Sequence, residues 1–256
     1  MDNPRVKLTL EQFNAYECHY PSNLVIVQME AEKELLTPSG IKLNFNEDVQ
    51  YGTQDGTDTS SHIADVCQVF GTVVKQVERL YYNRKDTKRT ASWDTDIETI
   101  EGDIVWTHPL AAKNCPEIIV NKIVYKVLNY EDLFVAKRTI WLNKWEGTKQ
   151  EVIVPLNGNV ILKTLPKDKL SDLDVLEPAI DLERGIVMWN GSDNRSYQSP
   201  QQADLVGLKE GDLVAIQKGC YPFYLERSIY NSHFDGANQY FVVQKRYLLA
   251  VLEHER

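Results

Sequence analysis

Two tetrapeptides, Gly102-Asp103-Ile104-Val105 and Gly211-Asp212-Leu213-Val214, decide how this chain is read. Each follows a turn, Thr99-Ile100-Glu101 in one case and Leu208-Lys209-Glu210 in the other. Each opens an apolar, β-prone run, Ile104-Val105-Trp106 and Leu213-Val214-Ala215-Ile216. A Gly-Asp pair ahead of such a run signals the start of a strand. Gly supplies φ > 0, and the Asp carboxylate caps its own backbone. One copy is unspecific. Two copies with matching surroundings in the same order mark a duplicated β domain.

Working outward, three more landmarks recur. Leu24-Val25-Ile26-Val27 is echoed by Val160-Ile161-Leu162, 135 positions on from Val25. Gly71-Thr72-Val73-Val74 is echoed by Gly185-Ile186-Val187-Met188, 114 positions on. Asp132-Leu133-Phe134-Val135 is echoed by Tyr247-Leu248-Leu249-Ala250-Val251, 115 positions on from Leu133. The Gly-Asp pairs themselves are 109 apart. The first offset is longer because the first half carries a longer loop after its first strand. Loops absorb insertions and strands do not. Two domains are therefore expected, 1–138 and 139–256.

The chain has 256 residues, of which 43% are hydrophobic, enough for two real cores. Its formal net charge of −9 argues against a general nucleic-acid binder, which needs a basic footprint. No apolar run approaches the ~18 residues of a membrane span. Met1-Asp2-Asn3-Pro4 lacks a charged-then-apolar leader pattern, so a cytoplasmic setting is expected, with no membrane partner. Cys18, Cys67, Cys115 and Cys220 show no CxxC spacing and are expected to be free structural thiols.

Along the chain, 24–28 reads as a buried strand. Residues 30–62 change character: a charged run, Glu30-Ala31-Glu32-Lys33-Glu34, the turn Thr37-Pro38-Ser39-Gly40, then a polar stretch to Ser61. Such a stretch buries too little apolar surface to offset its ordering entropy. It is expected to be a long mobile loop with one apolar island, Ile41-Lys42-Leu43-Asn44-Phe45. Strands are expected within 63–77 and at 103–107, 117–120, 123–127 and 134–137. Residues 81–99, with Arg84, Lys85, Lys88 and Arg89, fit an exposed hairpin. Trp141 and Trp145 fit packing in a strand or between domains. In the second half, 154–163 reads as one opening strand. A charged loop over about 164–183 holds a second island, Val175-Leu176, and a meander surrounds Tyr221 to Tyr224. No segment sustains a helical period. Short strands with frequent turn signals predict an all-β chain of barrels.

This arrangement resembles the GroES-type co-chaperonin family. The second half carries the closer match: Pro155-Leu156-x-x-x-Val160-Ile161-Leu162-Lys163, Arg184-Gly185-Ile186-Val187, Val206-x-x-Leu208-Lys209-Glu210-Gly211-Asp212-Leu213-Val214 and Tyr247-Leu248-Leu249-Ala250-Val251. The first half keeps Tyr20-Pro21-x-x-Leu24-Val25-Ile26-Val27, Phe70-Gly71-Thr72-Val73, Glu101-Gly102-Asp103-Ile104-Val105 and Glu131-Asp132-Leu133. The resemblance implies two small irregular β-barrels in tandem. It also implies a ring of chains that caps the mouth of a GroEL-type, ATP-dependent chaperonin cage and assists folding. Each mobile loop of that family presents an apolar tripeptide. By position the counterparts here are Ile41-Lys42-Leu43 after Ser39-Gly40, and Val175-Leu176 after Asp174. The central Lys42 and the leading Asp174 depart from the family's Ile-Val-Leu form.

The physical logic is independent of the family. A loop that orders on binding gives modest, reversible affinity. Two buried aliphatic side chains contribute roughly 3–6 kcal/mol before that cost. Several such contacts acting together bind tightly through effective concentration. Ordinary packing competes with this reading, since the alternation in Ile41-Lys42-Leu43-Asn44-Phe45 also suits a half-buried strand. For chemistry the sequence offers little. Cys18-His19, and His62 with Cys67, lack the spacing of a zinc site or the oriented base of a nucleophile. There is no paired acid/base motif, no GxxxxGK[ST] loop and no GxGxxG. No enzyme, cofactor or metal is expected. The rival reading is a non-enzymatic structural or assembly protein, for example of a virion, built on the same barrels.

Overall fold

The structure is a computed structural model. It describes residues 4–19, 22–29, 35–36, 42–43, 70–83, 92–107, 109–143, 147–166, 180–192, 207–217, 223–224 and 240–253. They divide into two compact units, Met1–Leu156 and Asn157–Arg256. The chain is mostly β-sheet with few helices, the all-β class that its short apolar runs and frequent turns dictate.

In the first unit the strands are β1 (Arg5–Lys7), β2 (Leu24–Met29), β3 (Leu35–Leu36), β4 (Lys42–Leu43), β5 (Phe70–Gln76), β6 (Arg79–Asn83), β7 (Ser92–Asp96), β8 (Ile104–Thr107), β9 (Glu117–Val120), β10 (Ile123–Asn129), β11 (Leu133–Asn143) and β12 (Thr148–Pro155). The second unit holds β13 (Asn159–Pro166), β14 (Ile180–Asn190), β15 (Leu213–Ile216), β16 (Phe223–Tyr224), β17 (Tyr240–Gln244) and β18 (Leu248–Glu253). The first main sheet runs β1-β9-β10-β2-β5-β8-β11-β12 and the second β16-β17-β13-β14-β15-β18. Small β3-β4 and β6-β7 sheets complete the first unit. Among the described residues the end strands of each main sheet do not pair with one another, so they form no closed barrel.

The duplication extends to strand order and register. The segment β10-β2-β5-β8-β11 has the same connectivity as β17-β13-β14-β15-β18. The irregularities coincide as well. The β2–β5 ladder slips between Ile26 and Val27, and the β13–β14 ladder slips between Ile161 and Leu162, the equivalent pair. The ladder of β11 on β8 slips between Leu133 and Val135, and that of β18 on β15 slips between Ala215 and Ile216, opposite the equivalent stretch. The cores repeat too. Val25, Val27, Val73, Val105, Leu128 and Leu133 of the first unit correspond to Val160, Leu162, Val187, Val214, Val243 and Leu248 of the second, all buried.

The Gly-Asp turns behave as their residues require. Gly102 and Gly211 sit at φ 92° and 91°, where a side chain is disfavoured. Asp103 Oδ2 accepts from Ile100 N at 2.9 Å, and Asp212 Oδ2 accepts from Lys209 N at 2.8 Å. Each turn is tied to the neighbouring strand by two backbone bonds. Gly102 N donates to Val73 O and Val73 N to Asp103 O; Gly211 N donates to Val187 O and Val187 N to Asp212 O. The same three-bond device thus starts β8 and β15.

Several expectations are corrected. The division falls after Leu156, not after Arg138, because β11 runs on to Asn143 and β12 returns along it through 148–155. The single strand expected over 154–163 is two strands. Asn157 and Gly158, at φ 56° and 69°, break it, so Val154 and Pro155 belong to the first sheet. Three elements outside the main antiparallel ladders are present without a signal in the sequence. They are β1, α1 (Leu10–Asn14) and α2 (Pro109–Asn114). α1 is short but has a full capping box: Gln12 N donates to Thr9 Oγ1, and Thr9 N donates to Gln12 Oε1. Its Phe13 lies 4.5 Å from the Tyr125 ring in a second core with Ile26, Ile118 and Val120. Five residues carry no detectable helical period, which is why that layer was missed.

Candidate functional site

The segments singled out in the sequence depart from equivalent places in the two sheets. In the first unit β2 and β5 pair through Met29↔Gly71, and residues 30–69 connect them. In the second, β13 and β14 pair through Pro166↔Ile180, and residues 167–179 connect them. Opposed antiparallel residues lie about 5 Å apart, so both ends of each segment are pinned at one rung. Gly71 permits this closeness: a Cβ there would stand 2.5 Å from Gln28 O and 2.8 Å from Met29 Cα. Gly185 plays the milder equivalent role, with Leu162 Cβ at 3.1 Å and the Phe241 ring at 3.2 Å.

Of the expected anchor residues, Ile41, Val175 and Leu176 lie outside the described residues. The backbone of Lys42-Leu43 forms β4, paired antiparallel with Leu35-Leu36 of β3. The mobile-loop expectations for 30–62 and 164–183 fall largely outside the described residues too.

The chain around the first segment is clamped by polar contacts that sequence reading did not find. Tyr81 N donates to Asn23 Oδ1, and Asn23 Nδ2 donates to Tyr81 O, which fastens β6 to the turn before β2. Asn23 adopts φ 51°, a conformation asparagine tolerates better than most residues. The fully buried Tyr130 donates its hydroxyl to Glu98 Oε2 at 2.8 Å. Arg138 donates to both oxygens of Asp103, at 2.9 and 2.7 Å, and to Glu98 O at 2.8 Å. The carboxylate of Asp103 holds the Arg138 guanidinium above its usual pKa. β6 and β7 pair from Arg79↔Asp96 to Asn83↔Ser92, the hairpin expected over 81–99; Arg84, Lys85, Lys88 and Arg89 lie outside the described residues.

Chemistry-bearing groups are otherwise sparse. Cys18 is half-buried and Cys115 buried, both as free thiols, and burial raises both pKa values above the ordinary 9.0. Raised thiols are poor nucleophiles and poor ligands at neutral pH. His62, Cys67 and Cys220 lie outside the described residues. Among the described residues no three His, Cys, Asp or Glu side chains converge on a metal position, and no helix is long and apolar enough to cross a membrane. An open depression of about 620 Å³ beside α2 is lined by Leu24, Cys115, Pro116, Val127, Asn129 and Asp132 among others. Trp141 lies in β11, 48% exposed, with Lys149 Nζ 4.2 Å from its ring centre; Trp145 is outside the described residues.

No protein-family model matches this chain, and no curated protein matches it.

Proposed function

We propose that this chain is a tandem GroES-like co-chaperonin: two small barrel-type domains that self-associate into a ring and cap a GroEL-type chaperonin cage. Ile41, Lys42 and Leu43, with Val175 and Leu176, are the proposed contacts to the cage's apical surface. The proposal includes no catalysis, no cofactor, no nucleic acid and no membrane. One observation carries it. Both island-bearing segments start and end on the equivalent strand pair of a repeated sheet, Met29↔Gly71 and Pro166↔Ile180. A segment pinned at one rung presents its middle to a partner while the sheet stays unchanged. Weak apolar contacts of that kind become strong only when many act together, and they release when the partner changes state.

The test is capture on a GroEL-type chaperonin with and without ATP. Retention only with nucleotide, lost on Leu43→Ser, is expected. Loss of one leucine-sized contact per chain multiplies across a ring, so a single substitution suffices. No retention in any nucleotide state removes the lid reading and leaves the structural or assembly role.

A further inference from the structure

Beside each Gly-Asp turn lies a polar cluster, and the duplication allows the two to be compared atom by atom. In the first unit the cluster is closed. Gln76 Nε2 donates to Thr99 O at 2.8 Å, and Thr99 Oγ1 donates back to Gln76 Oε1 at 2.7 Å. Next to them the Tyr130 hydroxyl donates to Glu98 Oε2 and accepts from Glu98 N at 3.2 Å. Residues 98 and 99 thus supply a carboxylate and a hydroxyl side by side.

Register fixes the counterparts in the second unit. Val25↔Gln76 corresponds to Val160↔Asn190, and the turns place Gly207 and Leu208 where Glu98 and Thr99 stand. Tyr130 N donates to Asn23 O and Lys245 N to Gly158 O, so Lys245 takes the place of Tyr130. One bond of the cluster survives: Asn190 Nδ2 donates to Leu208 O at 2.9 Å. The hydroxyl and the carboxylate do not. Leu208 packs on the second core instead, and Gly207 has no side chain. Asn190 Oδ1 is buried and accepts no hydrogen bond among the described residues. Lys245 Nζ donates to Gly191 O, on the residue next to Asn190.

These changes are chemically concerted. A buried amide oxygen without a donor is costly, and native proteins keep few of them. A lysine ammonium carries three donors and pairs most strongly with an ionised acceptor. The second unit therefore keeps a cation and an acceptor but has lost the carboxylate and the hydroxyl that would meet them. Gly207 is exposed at φ 85°, and a Cβ built on it would meet nothing within 4 Å, so there is room on that side.

We infer that this end of the second unit is a binding site for an acidic peptide segment. Its carboxylate pairs with Lys245, and a neighbouring hydroxyl or N–H donates to Asn190 Oδ1. The first unit supplies the reason for that ligand class: there the same two groups come from adjacent residues of a peptide, Glu98-Thr99. The inference goes beyond the proposed function and does not rest on it.

The full-length, isotope-labelled chain should be titrated with acetyl-Glu-Thr-amide while the Asn190 side-chain amide and the Gly191 backbone amide are followed by nuclear magnetic resonance. Saturable shifts at both, with a Kd of about 0.1–10 mM, are expected for so small a probe. Acetyl-Gln-Thr-amide, which lacks the charge, should bind about tenfold more weakly. Acetyl-Glu-Val-amide, isosteric but without the hydroxyl, should bind severalfold more weakly. Lys245→Met should abolish the preference for Glu over Gln and spare that for Thr over Val. Leu208→Thr, which supplies the hydroxyl from within, should do the reverse. No saturable shift, equal affinity for the three peptides, or preferences that survive both substitutions overturn the inference. Lactate carries a carboxylate and a hydroxyl without a peptide; binding as tight as the dipeptide's would overturn the peptide as occupant. The peptide series on the unsubstituted chain decides the matter even where a variant fails to fold.

Discussion

Asp103 is 1% exposed, and its carboxyl oxygens accept from three donors, Ile100 N and two nitrogens of Arg138. A buried carboxylate with that many partners is strongly committed to its place. Asp103→Ala leaves the guanidinium and one backbone N–H short of an acceptor, and should cost about 2–4 kcal/mol of folding stability. Arg138 retains Glu98 O and is partly exposed, which limits the cost to that range. Denaturant titration of the full chain reads the difference, and an unchanged midpoint would remove the clamp. The Gly-Asp dipeptide and its turn were legible because φ > 0 and side-chain capping are local requirements. Arg138, thirty-five positions away, was not legible as the partner. The position equivalent to it in the second half is Glu253, so the repeat itself hid the contact.

Among the elements, the antiparallel pairing of β5 with β2 leaves no room for a side chain at Gly71. An added Cβ at Gly71 meets backbone atoms at 2.5 and 2.8 Å, which cannot move without shifting the strand. At Gly185 the nearest atoms are side-chain atoms at 3.1 to 3.3 Å, which can yield by a few tenths of an ångström. Gly71→Ala should therefore destabilise by about 2–3 kcal/mol and Gly185→Ala by about 1 kcal/mol or less, in line with overpacking costs. Thermal melts of the two variants side by side check the ranking; equal shifts would contradict the geometry. Strand positions 117–120 were read correctly, and β2 and β8 to within a residue, because apolar alternation is a local signal. β11 was read as 134–137 and runs from Leu133 to Asn143. Its far half, beyond Lys137 where the pairing with β8 ends, is carried by the ladder with β12.

For the whole molecule, the boundary after Leu156 makes a testable statement about fragments. Residues 1–156 keep the β11–β12 ladder and Leu156, a 0% exposed member of the first core. Residues 1–138 lose both. The longer fragment should unfold cooperatively, and the shorter should show no cooperative transition, as judged by near-ultraviolet circular dichroism during denaturant titration. Two equally cooperative fragments would place the boundary at Arg138. By itself the sequence determined that the chain is a β protein, that it is duplicated, and where the repeated Gly-Asp turns fall. These properties rest on neighbouring residues: alternation, a φ > 0 position, a carboxylate three residues from the N–H it caps. Only the tertiary structure decided that β12 covers the edge of β11 in the first sheet, that Asn157-Gly158 divides one apparent strand into two, and that Asp103 is neutralised by Arg138. Each depends on which distant segments lie side by side, and pairing between strands is set by the competition of whole ladders and cores, which no local pattern encodes.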